Sequence, residues 1–340
     1  MTMNWMRHFE LQLADDRGTG ITLSDFRVVF SIDCFNISSQ TSVGTFKIYN
    51  LSDDTAQKII GKGFTRIRVI AGYDGLADKG GSNHGLIYSG DIRYASAGRE
   101  SAVDTYVMIQ AGDTDVAFSD AVTVRTLAAG YTIADMNHAL MQDFAPFGVT
   151  EGRTPAMPSR VYPRGRVLFG KTRLLMDEVA RQCNATWMFV DGQRVMLTKD
   201  EYVHDAVDLN SQTGLVGTPT QTLGKGVNVR CLINPQIRTN GLIHLNQAEV
   251  IINQQNLPAE DVARGSGYFP ENDSNGNRQV TLPESKAPLA SIATDGVYIV
   301  RGINYKGDTR GQEWYMDMVC EARGSRDALS ASELNRGGDK

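Results

Sequence analysis

Residues 85–112 read GLIYSGDIRYASAGRESAVDTYVMIQAG, and residues 296–324 read GVYIVRGINYKGDTRGQEWYMDMVCEARG. Each starts at Gly, runs through an apolar stretch containing Tyr, and passes Ile-x-Tyr (Ile92-Arg93-Tyr94 and Ile303-Asn304-Tyr305). Each then turns in a polar segment and returns through Tyr and Met. Apolar runs broken by a polar turn are the pattern of a β-hairpin. Upstream, FKIYNLS and FTRIRVIAGY precede the first hairpin much as VRCLINP and GLIHLN precede the second. The order repeats, which reads as an internal duplication.

Around the first hairpin, FELQLA, FRVVFSIDCF, VGTFKIYNL and FTRIRVIAGY supply further strands, and only LSDDTAQKII, with Ser52 as N-cap, has a helical pattern. The character changes over 119–205, where YTIADMNHALMQDF and TRLLMDEVARQC are amphipathic helices. Each follows a Gly-x-Thr: Thr132 with Asp135 forms a capping box, and Thr172 is placed as the second N-cap. From 206 strands return. The expected fold is therefore a β-rich α+β chain, with two tube-like β-barrel domains (1–118 and 206–325) flanking a small α/β middle domain (119–205). A long Asn-, Gly-, Pro- and Ser-rich loop insertion covers 253–290, and 326–340 is a polar C-terminal tail. A strand near 206–225 that returned to the first barrel would make that domain discontinuous.

One motif points elsewhere. Gly165 to Thr172, within RGRVLFGKTR (164–173), satisfies the phosphate-binding pattern G-x-x-x-x-G-K-[ST]. A loop that curls its amides around phosphate needs small residues, yet Arg166, Val167, Leu168 and Phe169 are bulky and read as a strand. Three prolines in TPAMPSRVYP replace the buried strand that should lead into such a loop. The run TWMFVDGQRVMLT reads as a hairpin turning at Asp191-Gly192, not as a strand ending in a metal-binding Asp. Helix initiation explains Lys171 and Thr172, and no nucleotide site is expected.

The four cysteines (Cys34, Cys183, Cys231, Cys320) are far apart in apolar patterns and read as small buried hydrophobes. The five histidines (His8, His84, His138, His204, His244) show no metal-ligand spacing. No nucleophile motif or carboxylate pair stands out, so no catalytic, cofactor-binding or metal residue is assigned, no cofactor is expected, and the chain is read as no enzyme. Net charge is −5, the wrong sign for a protein that grips nucleic acid through its phosphates. A local run of six cations, Arg153, Arg160, Arg164, Arg166, Lys171 and Arg173, has no interleaved stacking platform and reads as a solvated face or subunit contact. No apolar run is long enough to span a membrane.

Taken in order, FKIYNLSDDTAQKI, AGYDG, GLIYSGDI, GKTRLLMDEVARQCNATWMFVDGQRVML and NVRCLINPQIRTNGLIHLN resemble the baseplate hub proteins of contractile-tailed bacteriophages, whose fold is shared with VgrG-type spike proteins. The resemblance runs from about residue 25 to 322 and implies a structural virion protein of the tail baseplate, made in the bacterial host cytoplasm. It implies a homotrimer whose six similar barrels adapt the sixfold tail tube to the threefold central spike. The implied partners are the spike, a tail tube or distal tube protein and other baseplate proteins, with DNA passing through the lumen during genome ejection without specific binding. The competing reading is a cell-wall-degrading or P-loop nucleotide-dependent enzyme attached to a tail or secretion machine.

Overall fold

Alternating apolar residues on short strands leave one face of a sheet dry and set the layout of most of the chain. The computed structural model describes residues 6–35, 41–76, 82–198, 201–202, 204–221, 226–245, 271–272, 278–279 and 296–322. The first segment holds β1 (Arg7–Ala14), β2 (Gly20–Leu23), β3 (Val28–Phe35), β4 (Val43–Tyr49), α1 (Asp53–Ile60), β5 (Arg66–Leu76), β6 (Ser82–Arg99), β7 (Thr105–Gly112) and α2 (Asp115–Asp120). The middle holds β8 (Val122–Leu127), α3 (Ile133–Phe144), β9 (Thr150–Glu151), β10 (Arg166–Lys171), α4 (Thr172–Gln182), β11 (Ala185–Val190) and β12 (Gln193–Thr198). The last segment holds β13 (His204–Leu209), β14 (Thr220–Gln221), β15 (Gly226–Leu232), β16 (Gly241–Leu245), β17 (Glu271–Asn272), β18 (Arg278–Gln279), β19 (Val297–Asp308) and β20 (Trp314–Ala322).

The duplication read from the two hairpins is visible as a repeated strand order. In the first segment the neighbours run β3-β4-β7-β6-β5-β1, and in the last they run β14-β15-β20-β19-β16-β13. Each strand occupies the same place in the chain and in the ladder, and nine of the ten pairings are antiparallel; β13–β16 is the parallel one. The connection from β16 to β19, which carries the 253–290 insertion, corresponds to the short connection from β5 to β6. Most of that insertion lies outside the described residues, as does the 326–340 tail; within it β17 pairs with β18.

The two repeats are not separate sheets. β19 pairs with β16 through Val297–Ile299 and then with β3 through Gly302–Asp308, so one strand belongs to both. A bulge between Val300 and Gly302 flips the side-chain parity, which is why Tyr298 and Val300 are buried before it and Ile303 and Tyr305 after it. The β19–β20 turn is clasped by the N-terminal segment. Arg27 pairs with Asp308 at 2.8 Å, Arg7 donates to the carbonyl oxygens of Asp308 and Gln312, and the Thr309 hydroxyl donates to the Phe26 carbonyl oxygen. Phe9 and Phe30 stack where the repeats meet, with Trp314 edge-on to both, within a single core drawn from both repeats. The result is one 13-stranded sheet. Among the described residues its ladder is open, ending at β2 and β14, and the strands over 204–221 stay with the last segment rather than returning to the first.

The middle segment forms a lobe with its own core of Phe144, Leu168, Met176, Trp187 and Phe189 between α3, α4 and the β11–β12 hairpin. The caps fall largely where the sequence puts them. The Ser52 hydroxyl accepts from the Thr55 N–H, and Thr132 with Asp135 makes the capping box. Thr172 is a correction: Lys171 is the N-cap residue, and Thr172, the first helical residue, is buried with its hydroxyl 2.9 Å from that of Thr123.

Gly307 lies where β19 meets β3, and a Cβ there would fall on the Phe30 ring and 3.1 Å from Trp314. Gly307→Ala should therefore cost about 1–3 kcal/mol by overpacking. Urea denaturation checks this: an unchanged midpoint would mean that the joint is loose.

Candidate assembly surfaces

The P-loop segment is a strand. Arg166–Lys171 pairs antiparallel with β8, from Arg166↔Leu127 to Lys171↔Val122, so its backbone is extended rather than curled. Lys171 Nζ donates to the Ser119 carbonyl oxygen at 2.7 Å. Asp191 and Gly192, at φ 51 and 82, form the hairpin turn between β11 and β12.

The β8–β10 ribbon buries Leu168 but carries apolar side chains on its outer face as well. Polar Thr123 and Arg125 point inward, Thr123 to Thr172 and Arg125 to Asp143 on α3. Val122, Val124, Val167 and Phe169 point outward, with Phe169 75 % and Val124 69 % exposed and Leu174 of α4 nearby at 59 %. Contiguous exposed apolar side chains on a two-stranded ribbon mark a contact surface. The cationic run borders it, but most of its charges are engaged within the chain. Arg166 makes a bidentate pair with Glu178, Arg173 lies over the Phe118 ring, Arg160 over the Tyr162 ring, and Arg153 donates to the Tyr202 carbonyl oxygen. That arrangement suits a packed protein face better than a phosphate track.

The repeat exposes a second surface. β6 pairs with β5 through Ser82–Asp91 and with β7 through Asp91–Arg99. Among the described residues, no strand pairs with β6 beyond Ile92 on its β5 side, the position at which β3 covers β19. A groove of about 770 Å³ runs beside this edge, lined by Ile60, Phe64, Tyr94, Val116 and Phe147. β14 ends the ladder at the other extreme, in the place that β3 holds in the first repeat.

Asp113, at the end of β7, anchors the lobe to the sheet. Its carboxylate accepts from the Thr114 hydroxyl at 2.7 Å and from the Asp191 N–H of the hairpin turn at 2.9 Å, and Arg238 lies 3.6 Å from Asp191. Burial pushes the Asp113 carboxyl up to about 7. Two further acids of the sheet are engaged inside the subunit: Asp91 accepts from the Val116 N–H, and Asp317 pairs with Arg230 at 2.6 Å. Three of the four cysteines pack as expected, Cys183, Cys231 and Cys320 being buried; Cys34 is half-buried against the core, where desolvation pushes its thiol up to about 12. Two of the histidines without metal-ligand spacing in the sequence, His8 and His84, stack at 3.7 Å.

No protein-family model and no curated protein sequence matches the chain. Solved structures do match along almost its whole length. The 43 kDa tail protein of prophage MuSo2 from Shewanella oneidensis aligns with a TM-score of 0.53 at 8% identity, covering 95% of this chain and 100% of that one. A tail protein from Neisseria meningitidis MC58 aligns with a TM-score of 0.51 at 10% identity, covering 96% and 100%. The chain has the fold of phage tail proteins. At these identities it is the fold that is shared, and it agrees with the resemblance carried by the sequence motifs.

The Asp113 anchor gives a pH dependence with a definite sign. A carboxyl whose folded pKa lies above its unfolded value of about 3.9 binds its proton more tightly in the fold, so its contribution to stability is full at low pH. That contribution is lost as pH rises toward the folded pKa, at about 1.4 kcal/mol per pH unit. The stability advantage of Asp113→Asn over the parent should grow between about pH 5 and pH 7. Paired denaturation curves check this, and a difference independent of pH would contradict it.

Proposed function

We propose that the chain is a structural, non-enzymatic subunit of a phage-type tail: the trimeric hub at the centre of the baseplate, joining a sixfold tube to a threefold spike. The observation that carries this reading is the repeated six-strand order. Three chains with two similar β units each give six units around one axis, so a single trimer presents quasi-sixfold symmetry on one face and true threefold symmetry on the other. In the assembled ring each unit acts as a tube-like barrel, and the two barrels flank the middle lobe along the chain.

The joint inside the chain supplies a template for the joint between chains. β3 of the first repeat covers β19 of the second. By the same pairing, the β14 edge of one copy covers the open half of β6 in the next, and three such steps close the ring. Closure of this kind covers the β14 edge and the second half of β6, which would otherwise stay open to stray pairing. The ring then surrounds the channel through which DNA leaves, and an acidic chain is compatible with weak adhesion to phosphate. The lobe stands outside the ring. Its apolar ribbon, edged by Arg164 and Lys171, meets another baseplate protein that offers apolar and acidic groups. The spike and a tube protein take the two faces of the ring, and the chain resides in the virion tail.

Light scattering after gel filtration tests the assembly. The expected mass is three chains, with amide exchange over residues 93–99 and 215–221 slowed relative to a dilute monomer. A monomer at every concentration, or a trimer whose β6 edge still exchanges freely, would overturn the ring. Phe169→Asp should leave both the trimer and the melting temperature unchanged, because the ring is exposed, and should lower incorporation into tails, measured by immunoblot of purified particles. Normal incorporation would remove the ribbon as a contact.

A further inference from the structure

His8, Gly72 and His84 lie in one row across three strands, paired as His8↔Gly72 between β1 and β5 and Gly72↔His84 between β5 and β6. Side chains two strands apart do not ordinarily touch. Here the central position has none, and at φ 148 a Cβ would lie 2.6 Å from the His84 Cα, so glycine is required. The two imidazoles close over the gap and stack at 3.7 Å, and Asp74, two residues beyond Gly72, joins them. One donor atom from each of His8, Asp74 and His84 lies within 4.8 Å of the others.

We propose that His8, Asp74 and His84 form a binding site for a divalent transition-metal ion of the zinc type, on the sheet face opposite the core of the first repeat. Two imidazoles and a carboxylate are a donor set that zinc favours. Bonds of 2.0–2.1 Å in a tetrahedral site put donor atoms about 3.3 Å apart, so binding would draw the three donors, already within 4.8 Å of one another, closer together and unstack the two rings. The supporting contacts are those that metal-bound histidines use. His8 Nε2 lies 3.1 Å from Glu10 Oε1 while its Nδ1 meets Asp74 Oδ1 at 2.7 Å, and His84 Nδ1 lies 3.3 Å from the Tyr73 carbonyl oxygen. A carboxylate on one ring and a carbonyl on the other orient His8 Nδ1 and His84 Nε2 as the ligating atoms. The ion would pin β1 to β5 and β6, fixing the N-terminal strand to the first repeat independently of any assembly.

The test is calorimetric titration of the untagged, EDTA-treated full chain with zinc chloride, alongside melting curves. One equivalent should bind per chain and raise the melting temperature, since an ion that binds the fold stabilises it by mass action. His84→Gln and Asp74→Asn should abolish the bound equivalent, Glu10→Gln should weaken binding about tenfold through the supporting contact, and His244→Ala should leave it unchanged. Circular dichroism of each metal-free variant separates lost binding from lost folding. No heat and no melting shift at millimolar zinc would overturn the site, as would equal binding by a folded His84→Gln chain.

Discussion

β19 is the strand on which the rest of the sheet depends. Its first half completes the second repeat through β16, and its second half is the only ladder joining that repeat to the first among the described residues. A strand can serve two partners on one side only if its inward face is preserved along its length, and the bulge at Arg301 does this by shifting parity once. The clasp of Arg7, Arg27 and Thr309 around the following turn then holds the joint against fraying. A chain built in this way carries, in its own covalent structure, one of the contacts that a ring of like units needs repeatedly.

The middle lobe is attached differently. It rests on the sheet through a buried carboxylate receiving the N–H of a hairpin turn, a polar contact that fixes orientation more than it adds stability. Its β8–β10 ribbon turns valine and phenylalanine to solvent while threonine and arginine face the helices. That outer face is hard to reconcile with a lobe that works alone, and it places the unmet apolar surface on the side away from the lobe's core.

Much of this was legible in the sequence, and what was not has physical causes. Hairpins, capping residues and the Asp191-Gly192 turn depend on neighbours a few residues away, so local pattern found them. The duplication was legible as an order of strands, yet the motif that first suggested it is not equivalent in space: Tyr305 is buried with its hydroxyl on the Ile237 carbonyl oxygen, whereas Tyr94 is 48% exposed. The similarity lies in topology rather than in matched side chains. The joint between the repeats was not foreseen because nothing local in β3 or β19 announces a pairing across roughly 270 residues. Thr172 was placed as a cap that falls instead on Lys171, because its hydroxyl is taken by the buried hydroxyl of Thr123 on a neighbouring strand. The His8–His84 stack was invisible because it depends on an intervening glycine on a third strand, which sequence spacing cannot report.

Electron cryomicroscopy of purified tails, with the chain located in the density, tests the central claim most directly. The account predicts three copies at the tail tip, forming a closed β ring of six similar units around an open channel, with the middle lobes on its outside. Six copies in the ring, or density for the chain away from the tube–spike junction, would contradict it.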